Sequence, residues 1–284
     1  MRIDAHHHVW RLARGDYGWL TPAMGVLHQD FEPETLRPQL LAGGVEATIL
    51  VQAAPTEAET DFLLAAAQAH PWIAGVVGWS DLSAPDAAAR VTDLSRRPGL
   101  VGLRPMLQDL EDRAWILGRA LAPGLEAMTR QGLVFDALVR DDQLGVVAQL
   151  AARYPRLKIV LDHAGKPTFD PAGLRTWEAG IRAAAAAPNT SVKLSGLLTE
   201  APPGAGVSVL RPVLSVLLDA FGADRIVWGS DWPMLTLASD YAAWLDITSS
   251  LLEPLGETQR AAIMGGNAAR LYGLPALRIQ GPRS

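Results

Sequence analysis

The chain has 284 residues and no cysteine. That absence excludes disulfides, thiolate zinc sites and a cysteine nucleophile. Long apolar runs are missing too: no stretch approaches the ~20 uncharged residues a membrane-spanning helix needs. Met1–Asp4 lacks the apolar centre of a secretion signal. A soluble cytoplasmic protein without a membrane partner is therefore expected. Clustered positive charge is also scarce. Lys and Arg number 25 against 30 Asp and Glu, a net charge of −5, and no basic patch announces a nucleic-acid partner. The balance favours a small or neutral partner.

What is present is apolar material in short pieces. Hydrophobic residues make up 49% of the chain, enough for a full core. Runs such as ATILV and KIVL, continuous rather than alternating, predict strands covered on both faces. Strands are expected at Arg2–His6, Ala47–Gln52, Ile73–Trp79, Leu100–Arg104, Leu133–Ala137, Lys158–Asp162, Ser191–Leu194 and Arg225–Trp228. Helices are expected between them at Glu57–Ala69, Asp86–Arg97, Asp141–Tyr154, Leu174–Ala187 and Leu210–Phe221, with Thr56, Asp141 and Pro171 at cap or first-turn positions. Eight strands alternating with helices imply a (β/α)8 barrel; a doubly wound sheet is the alternative. No linker or repeat divides the chain, so residues 1–284 read as one domain. The run GGNAARLYG predicts a closing helix ending at Gly273, with the last ten residues fraying. Thr199–Gly206 is a candidate loop over a site.

In such a barrel the chemistry lies at the C-terminal strand ends. The first strand delivers three of the six histidines, in IDAHHHVW. Flanked by Ile3 and Val9-Trp10, they do not read as a purification tag. Side chains alternate along a strand, so His6 and His8 share one face and His7 takes the other. The other strands end in Gln52, Trp79, Arg104, Asp136, Asp162-His163 with Lys166, Lys193 with Ser195, and Asp231-Trp232. Each has an ordinary structural reading: a core histidine, a helix cap, a salt bridge, lid packing. Together they bring four proton-active groups, His6, His8, His163 and Asp231, to one mouth.

The motifs IDAHHHVW, DYGWL, VQAAPTEAET, GLRPMLQ, LVFDALVR, LDHAGKP and VWGSDWP, in this order over roughly Ile3–Gly273, resemble the amidohydrolase-related lactonases. That group includes L-fuconolactonase, L-rhamnonolactonase and 2-pyrone-4,6-dicarboxylate lactonase. The resemblance implies a distorted (β/α)8 barrel in which Asp231 activates water beside His6, His8 and His163. The fifth strand, Phe135-Asp136-Ala137, has neither the lysine nor the histidine of binuclear relatives. A single divalent ion such as zinc, on His6, His8 and Asp231 with Asp136 or His163 as an optional further ligand, is allowed and not required.

These residues suit lactone hydrolysis. Asp231 would take a proton from water, a contribution worth ~10²–10⁴-fold. The imidazoles would donate to the carbonyl oxygen as charge develops. Few cations stand at the strand ends, only Arg104 with Lys166 and Lys193, whereas Trp10, Trp19, Trp79 and Trp232 offer flat faces and Gln52 a hydrogen-bonding amide. A neutral sugar (aldono-) lactone is favoured over a dianionic pyrone. The rival expectations are a zinc-dependent decarboxylase of the same superfamily and a non-catalytic sugar-binding barrel. Oligomeric state is not legible.

Overall fold

The computed structural model describes residues 1–274; the expectation of fraying for the last ten residues lies outside them. The eight apolar runs form strands β1 (Ile3–His7), β2 (Ala47–Val51), β3 (Ile73–Gly78), β4 (Leu100–Leu103), β5 (Val134–Ala137), β6 (Ile159–Leu161), β7 (Thr190–Leu194) and β8 (Ile226–Trp228). All belong to one sheet in sequential order, and each neighbouring pair is parallel. This is the expected (β/α)8 barrel, with strand ends that differ from expectation by at most one residue.

Helices α1 (Pro33–Ala42), α2 (Glu57–Ala69), α3 (Ala87–Ser95), α4 (Ala122–Gln131), α5 (Leu144–Arg153) and α6 (Pro171–Ala185) connect the first seven strands. After β7 come α7 (Leu197–Glu200) and α8 (Val207–Phe221), and after β8 come α9 (Tyr241–Leu252), α10 (Glu257–Ala261) and α11 (Asn267–Tyr272). The caps follow local chemistry. Thr56 accepts the Glu59 amide at 3.0 Å to start α2, and Asp170, followed by Pro171, accepts the Ala172 and Gly173 amides to start α6. Sequence periodicity misses α1, which carries Pro38 inside it, and also α4 and α9.

Two apolar layers result. The larger joins the outer faces of the strands to the helices. The smaller fills the barrel: Ile3, Ala5, Ile49, Val77, Val134, Val160 and Val227, with Ala268 and Tyr272 of α11 entering from below. The expected closing helix thus plugs the bottom of the barrel. Asn267 fixes it there by donating to the Ala223 and Ile226 carbonyls at 2.7 Å each. Among the described residues no helix is long and apolar enough to cross a membrane.

Candidate active site

The phase of β1 decides which histidines face the mouth. Ile3 and Ala5 point into the barrel, so strict alternation would send His7 inward. The register against β2 shifts between Asp4 and His7: Ile3 and Asp4 pair with Ala47 and Thr48, but His7 pairs with Leu50. One extra residue on β1 makes a bulge, and a bulge re-aims side chains. His7 therefore turns outward, its Nε2 2.8 Å from Thr48 Oγ1 and its ring stacked on Trp72. Burial pushes its imidazole down to about 3, so it stays neutral. His6 and His8 face the mouth together, ring centres 5.0 Å apart.

The segment after β8 closes the barrel against β1. Asp231 N–H donates to His6 O at 2.8 Å, and His8 N–H donates to Trp232 O at 2.7 Å. Asp4 accepts the Ser230 amide at 2.8 Å and the Tyr241 hydroxyl at 3.0 Å. This pairing carries Asp231, held at φ 60°, over the two histidines. At the end of β6 a run of four residues, His163, Ala164, Gly165 and Lys166, takes positive φ of 53°, 52°, 68° and 50°. Each non-glycine residue in that conformation costs roughly 1–2 kcal/mol. Trp177 holds the run by donating to the Ala164 carbonyl at 2.7 Å. Facing it, Gly196 has φ +63°, and a Cβ there would strike the His163 ring.

The result is one carboxylate among three imidazoles. Asp231 Oδ1 lies 3.4 Å from His8 Nε2, 3.6 Å from His6 Nε2 and 3.8 Å from His163 Nε2. These gaps exceed a good hydrogen bond, and Asp231 Oδ1 is buried without a partner. Burial alone would raise the Asp231 carboxyl; His163, His8 and His6 overcome it and hold the group below the usual carboxylate range. Burial pushes His163 down to about 4 against the pull of Asp231 and Asp162. Burial, with Lys193 next, keeps His6 well below its ordinary value. At neutral pH the centre is an ionised carboxylate facing neutral His6 and His163.

Above it opens a cavity of 340 Å³, with His8, His163, Asp231, Arg104, Trp19 and Lys166 in its wall. Trp10 stands edge-on to Trp19 at 5.4 Å, and the Trp19 indole donates to Ala53 O at 2.7 Å. Lys166 pairs with Glu200 at 2.8 Å. Gln108 and Asp109 also line the cavity and were not singled out from sequence; they sit on the irregular segment after β4, where no periodicity points inward, whereas Thr199 and Glu200, at the end of α7, open the stretch Thr199–Gly206 expected over a site. Four of the sequence candidates are not in the lining. His6 is fully buried next to Asp231. Gln52 is buried below the cavity, its amide donating to Arg104 O at 2.7 Å. Trp79 is held through its backbone by Thr60 of α2. Trp232 packs edge-on against Phe31, centres 5.2 Å apart, because its neighbour Asp231 takes the inward direction.

Among the described residues, those with a metal-compatible spacing are His6, His163 and Asp231, whose ligand atoms all lie within 4.8 Å of one another. His163 belongs to this group in place of His8. Asp136 lies in the layer beneath, bound by Lys193 at 2.5 Å and by the Tyr272 hydroxyl at 2.8 Å, so it is not a member. Ligand atoms about a tetrahedral zinc stand about 3.3 Å apart, close to the 3.6 and 3.8 Å here. An unpartnered carboxylate oxygen beside two imidazoles is a fitting donor set.

A parallel barrel with a histidine on β1, one just after β6 and an aspartate after β8 has the polar strand-end mouth of a barrel enzyme. The chain belongs to the amidohydrolase family, whose model matches residues 3–274. It is 42% identical over 275 residues to an L-fucono-1,5-lactonase of Burkholderia ambifaria, covering 95% of both chains. It is also 42% identical over 291 residues to an L-fucono-1,5-lactonase of Burkholderia multivorans, covering 97% of both. A crystal structure of a Burkholderia multivorans amidohydrolase with bound zinc superposes with a TM-score of 0.92 at 40% identity, over 97% of this chain and all of that one.

Proposed function

We propose that the protein hydrolyses a neutral sugar 1,5-lactone to the open-chain sugar acid. The observation that carries this reading is the unpartnered, ionised Asp231 oxygen among three imidazoles at the floor of the cavity. The names of the two Burkholderia relatives support the lactone as substrate.

Water seated between Asp231 and the lactone carbonyl loses a proton to Asp231 as its oxygen bonds to the carbonyl carbon. Negative charge moves to the carbonyl oxygen, where imidazole N–H groups and Arg104 receive it; such donors in a dry site contribute about 3–4 kcal/mol each. Collapse breaks the bond to the ring oxygen, which leaves as a hydroxyl with the proton returned by Asp231. A divalent ion on His6, His163 and Asp231 would supply carbonyl polarisation and a more acidic water; the acid–base steps above belong to the chain's own groups.

Charge in the wall argues for a neutral ring. The lining holds two cations, Arg104 and Lys166, against the three acids Asp109, Glu200 and Asp231. A dianion would meet net repulsion. The indole of Trp19 can cover the C–H face of the ring, and the Lys166–Glu200 pair and Gln108 offer donors and acceptors to its hydroxyls.

The test is a pH-indicator screen of sugar 1,5-lactones, run with and without chelator. Turnover of neutral deoxy- and hydroxy-lactones that survives chelation is expected. Silence across the panel despite measurable lactone binding would replace the enzyme with a sugar-binding barrel. Activity on aromatic acids that disappears with chelator would replace it with a metal-dependent decarboxylase.

A further inference from the structure

Below the mouth, on β7, Lys193 is fully buried. Its Nζ lies 2.5 Å from Asp136 Oδ2, 3.0 Å from Asp162 Oδ1 and 3.0 Å from His6 Nδ1. A lysine ammonium has three N–H donors and no acceptor. Toward His6 it can therefore only donate, and Nδ1 must supply its lone pair. A neutral imidazole carries one ring hydrogen, which is then on Nε2, the nitrogen facing Asp231. We infer that Lys193 is a positioning residue that fixes His6 as the Nε2–H tautomer, making it a standing hydrogen-bond donor to the mouth.

Two neighbours compete with this arrangement, and geometry disfavours both. Asp162 Oδ1 is 3.3 Å from His6 Nδ1 and could accept a hydrogen there, but the Lys193 ammonium is nearer to that nitrogen, at 3.0 Å, and equally 3.0 Å from Asp162 Oδ1. A hydrogen on Nδ1 would instead meet the ammonium. On the other side Arg104 Nη1 is 3.4 Å from His6 Nε2, but it is equally 3.4 Å from the carboxylate oxygen Asp162 Oδ2. The guanidinium has another acceptor, and the Lys193 contact is the shorter of the two.

His8 is set the opposite way. Its Nδ1 is 2.7 Å from the Val51 carbonyl oxygen, which can only accept. Nδ1 therefore carries a hydrogen. The two mouth-facing histidines of the His-x-His pair are thus held from behind by opposite kinds of group, a lysine and a carbonyl. His163 Nδ1 meets Ser195 Oγ at 3.1 Å; a hydroxyl can donate or accept, so this imidazole can follow the reaction.

The consequence for metal binding is specific. A histidine ligand ordinarily gives its second N–H to a carboxylate or carbonyl and its lone pair to the metal. His6 has a cation behind it, so ligation through Nε2 requires its hydrogen to leave or to move against Lys193. The β1 histidine is therefore wired for hydrogen bonding in the metal-free protein. This inference rests on the proposed site but not on the identity of the substrate.

Histidine-selective nitrogen-15 labelling and two-bond proton–nitrogen correlation on metal-free, full-length protein read the tautomers directly. Six histidines are few enough to assign by loss of signals in His6→Gln and His8→Gln. The Nε2–H pattern is expected for His6 and the Nδ1–H pattern for His8; Nδ1–H at His6 overturns the inference. In Lys193→Met, His6 should switch to Nδ1–H, now donated to Asp162, and retention of Nε2–H would remove Lys193 as the cause. Should that variant fail to fold, the wild-type spectrum decides alone. Neither spectrum depends on turnover, so a silent lactone screen and a wrong tautomer remain separate failures.

Discussion

Asp231 and Asp136 are both buried carboxylates inside one barrel, but their surroundings differ in kind. Asp136 Oδ2 accepts from the Lys193 ammonium and the Tyr272 hydroxyl. Asp231 Oδ1 has three imidazole nitrogens at 3.4–3.8 Å and no hydrogen bond. Each keeps one oxygen without a hydrogen bond, a costly state for a buried polar atom, but of the two only Asp231 lines the cavity. The lower one holds β5, β7 and α11 together. Catalytic potential and structural support are stacked in two layers, with His6 belonging to both.

The sharpest way to break that comparison is to neutralise the upper carboxylate. Asp231→Asn keeps size and tolerates the positive φ, but cannot accept a proton. A fall in kcat of about 10²–10⁴-fold is expected, with a thermal midpoint unchanged or raised. Lactone turnover at the wild-type rate would place the base elsewhere. A large loss of stability would show that Asp231 is structural, like Asp136.

The layering was only partly legible in sequence. Continuous apolar runs gave away the barrel because strands buried on both faces have no room for alternation. His6, His8, His163 and Asp231 could be grouped because strand ends converge in any closed barrel. What stayed hidden has physical causes. The β1 bulge that turns His7 out has no composition signature, and alternation from Ile3 and Ala5 alone would have misplaced the triplet. Trp79 and Trp232 look like rim aromatics, but a residue's direction at a strand end depends on its neighbour, and Asp231 takes the inward one. Lys193 showed as a cation near the mouth, whereas its role is set by what lies behind His6, and no local pattern encodes that.

A third buried carboxylate sharpens the comparison by being paired yet able to titrate near neutrality. Glu59 accepts the Tyr17 hydroxyl at 2.6 Å and the Ala53 amide at 3.2 Å, with Arg14 at 3.5 Å. It thereby anchors Ala53, on which Trp19 of the cavity wall rests. Burial raises its carboxyl from 4.5 to about 7. Between those values the folded chain keeps a proton that the unfolded chain has lost. Its contribution is complete below 4.5 and disappears as pH rises through about 7, a difference of about 3 kcal/mol. Urea midpoints from pH 4 to 8 should therefore fall relative to Glu59→Gln, which has no proton to lose. Parallel curves for the two proteins would mean that Glu59 is ionised throughout.

The smallest effect is expected from the foot of the lower layer. Tyr272 reaches up from α11 to Asp136, and its ring lies 5.8 Å from the Lys193 ammonium. Tyr272→Phe keeps the ring in the barrel and deletes one hydrogen bond to a charged group, a loss of about 2 kcal/mol in denaturant unfolding. Lys193 still holds Asp136 and still donates to His6, so kcat should change by no more than about twofold, since a 1.4 kcal/mol change in barrier already means tenfold. A loss of turnover comparable to that of Asp231→Asn, with little loss of stability, would mean that the hydroxyl tunes His6 through Asp136 and Lys193. The two layers would then be a single proton-bearing network reaching from the closing helix to the mouth.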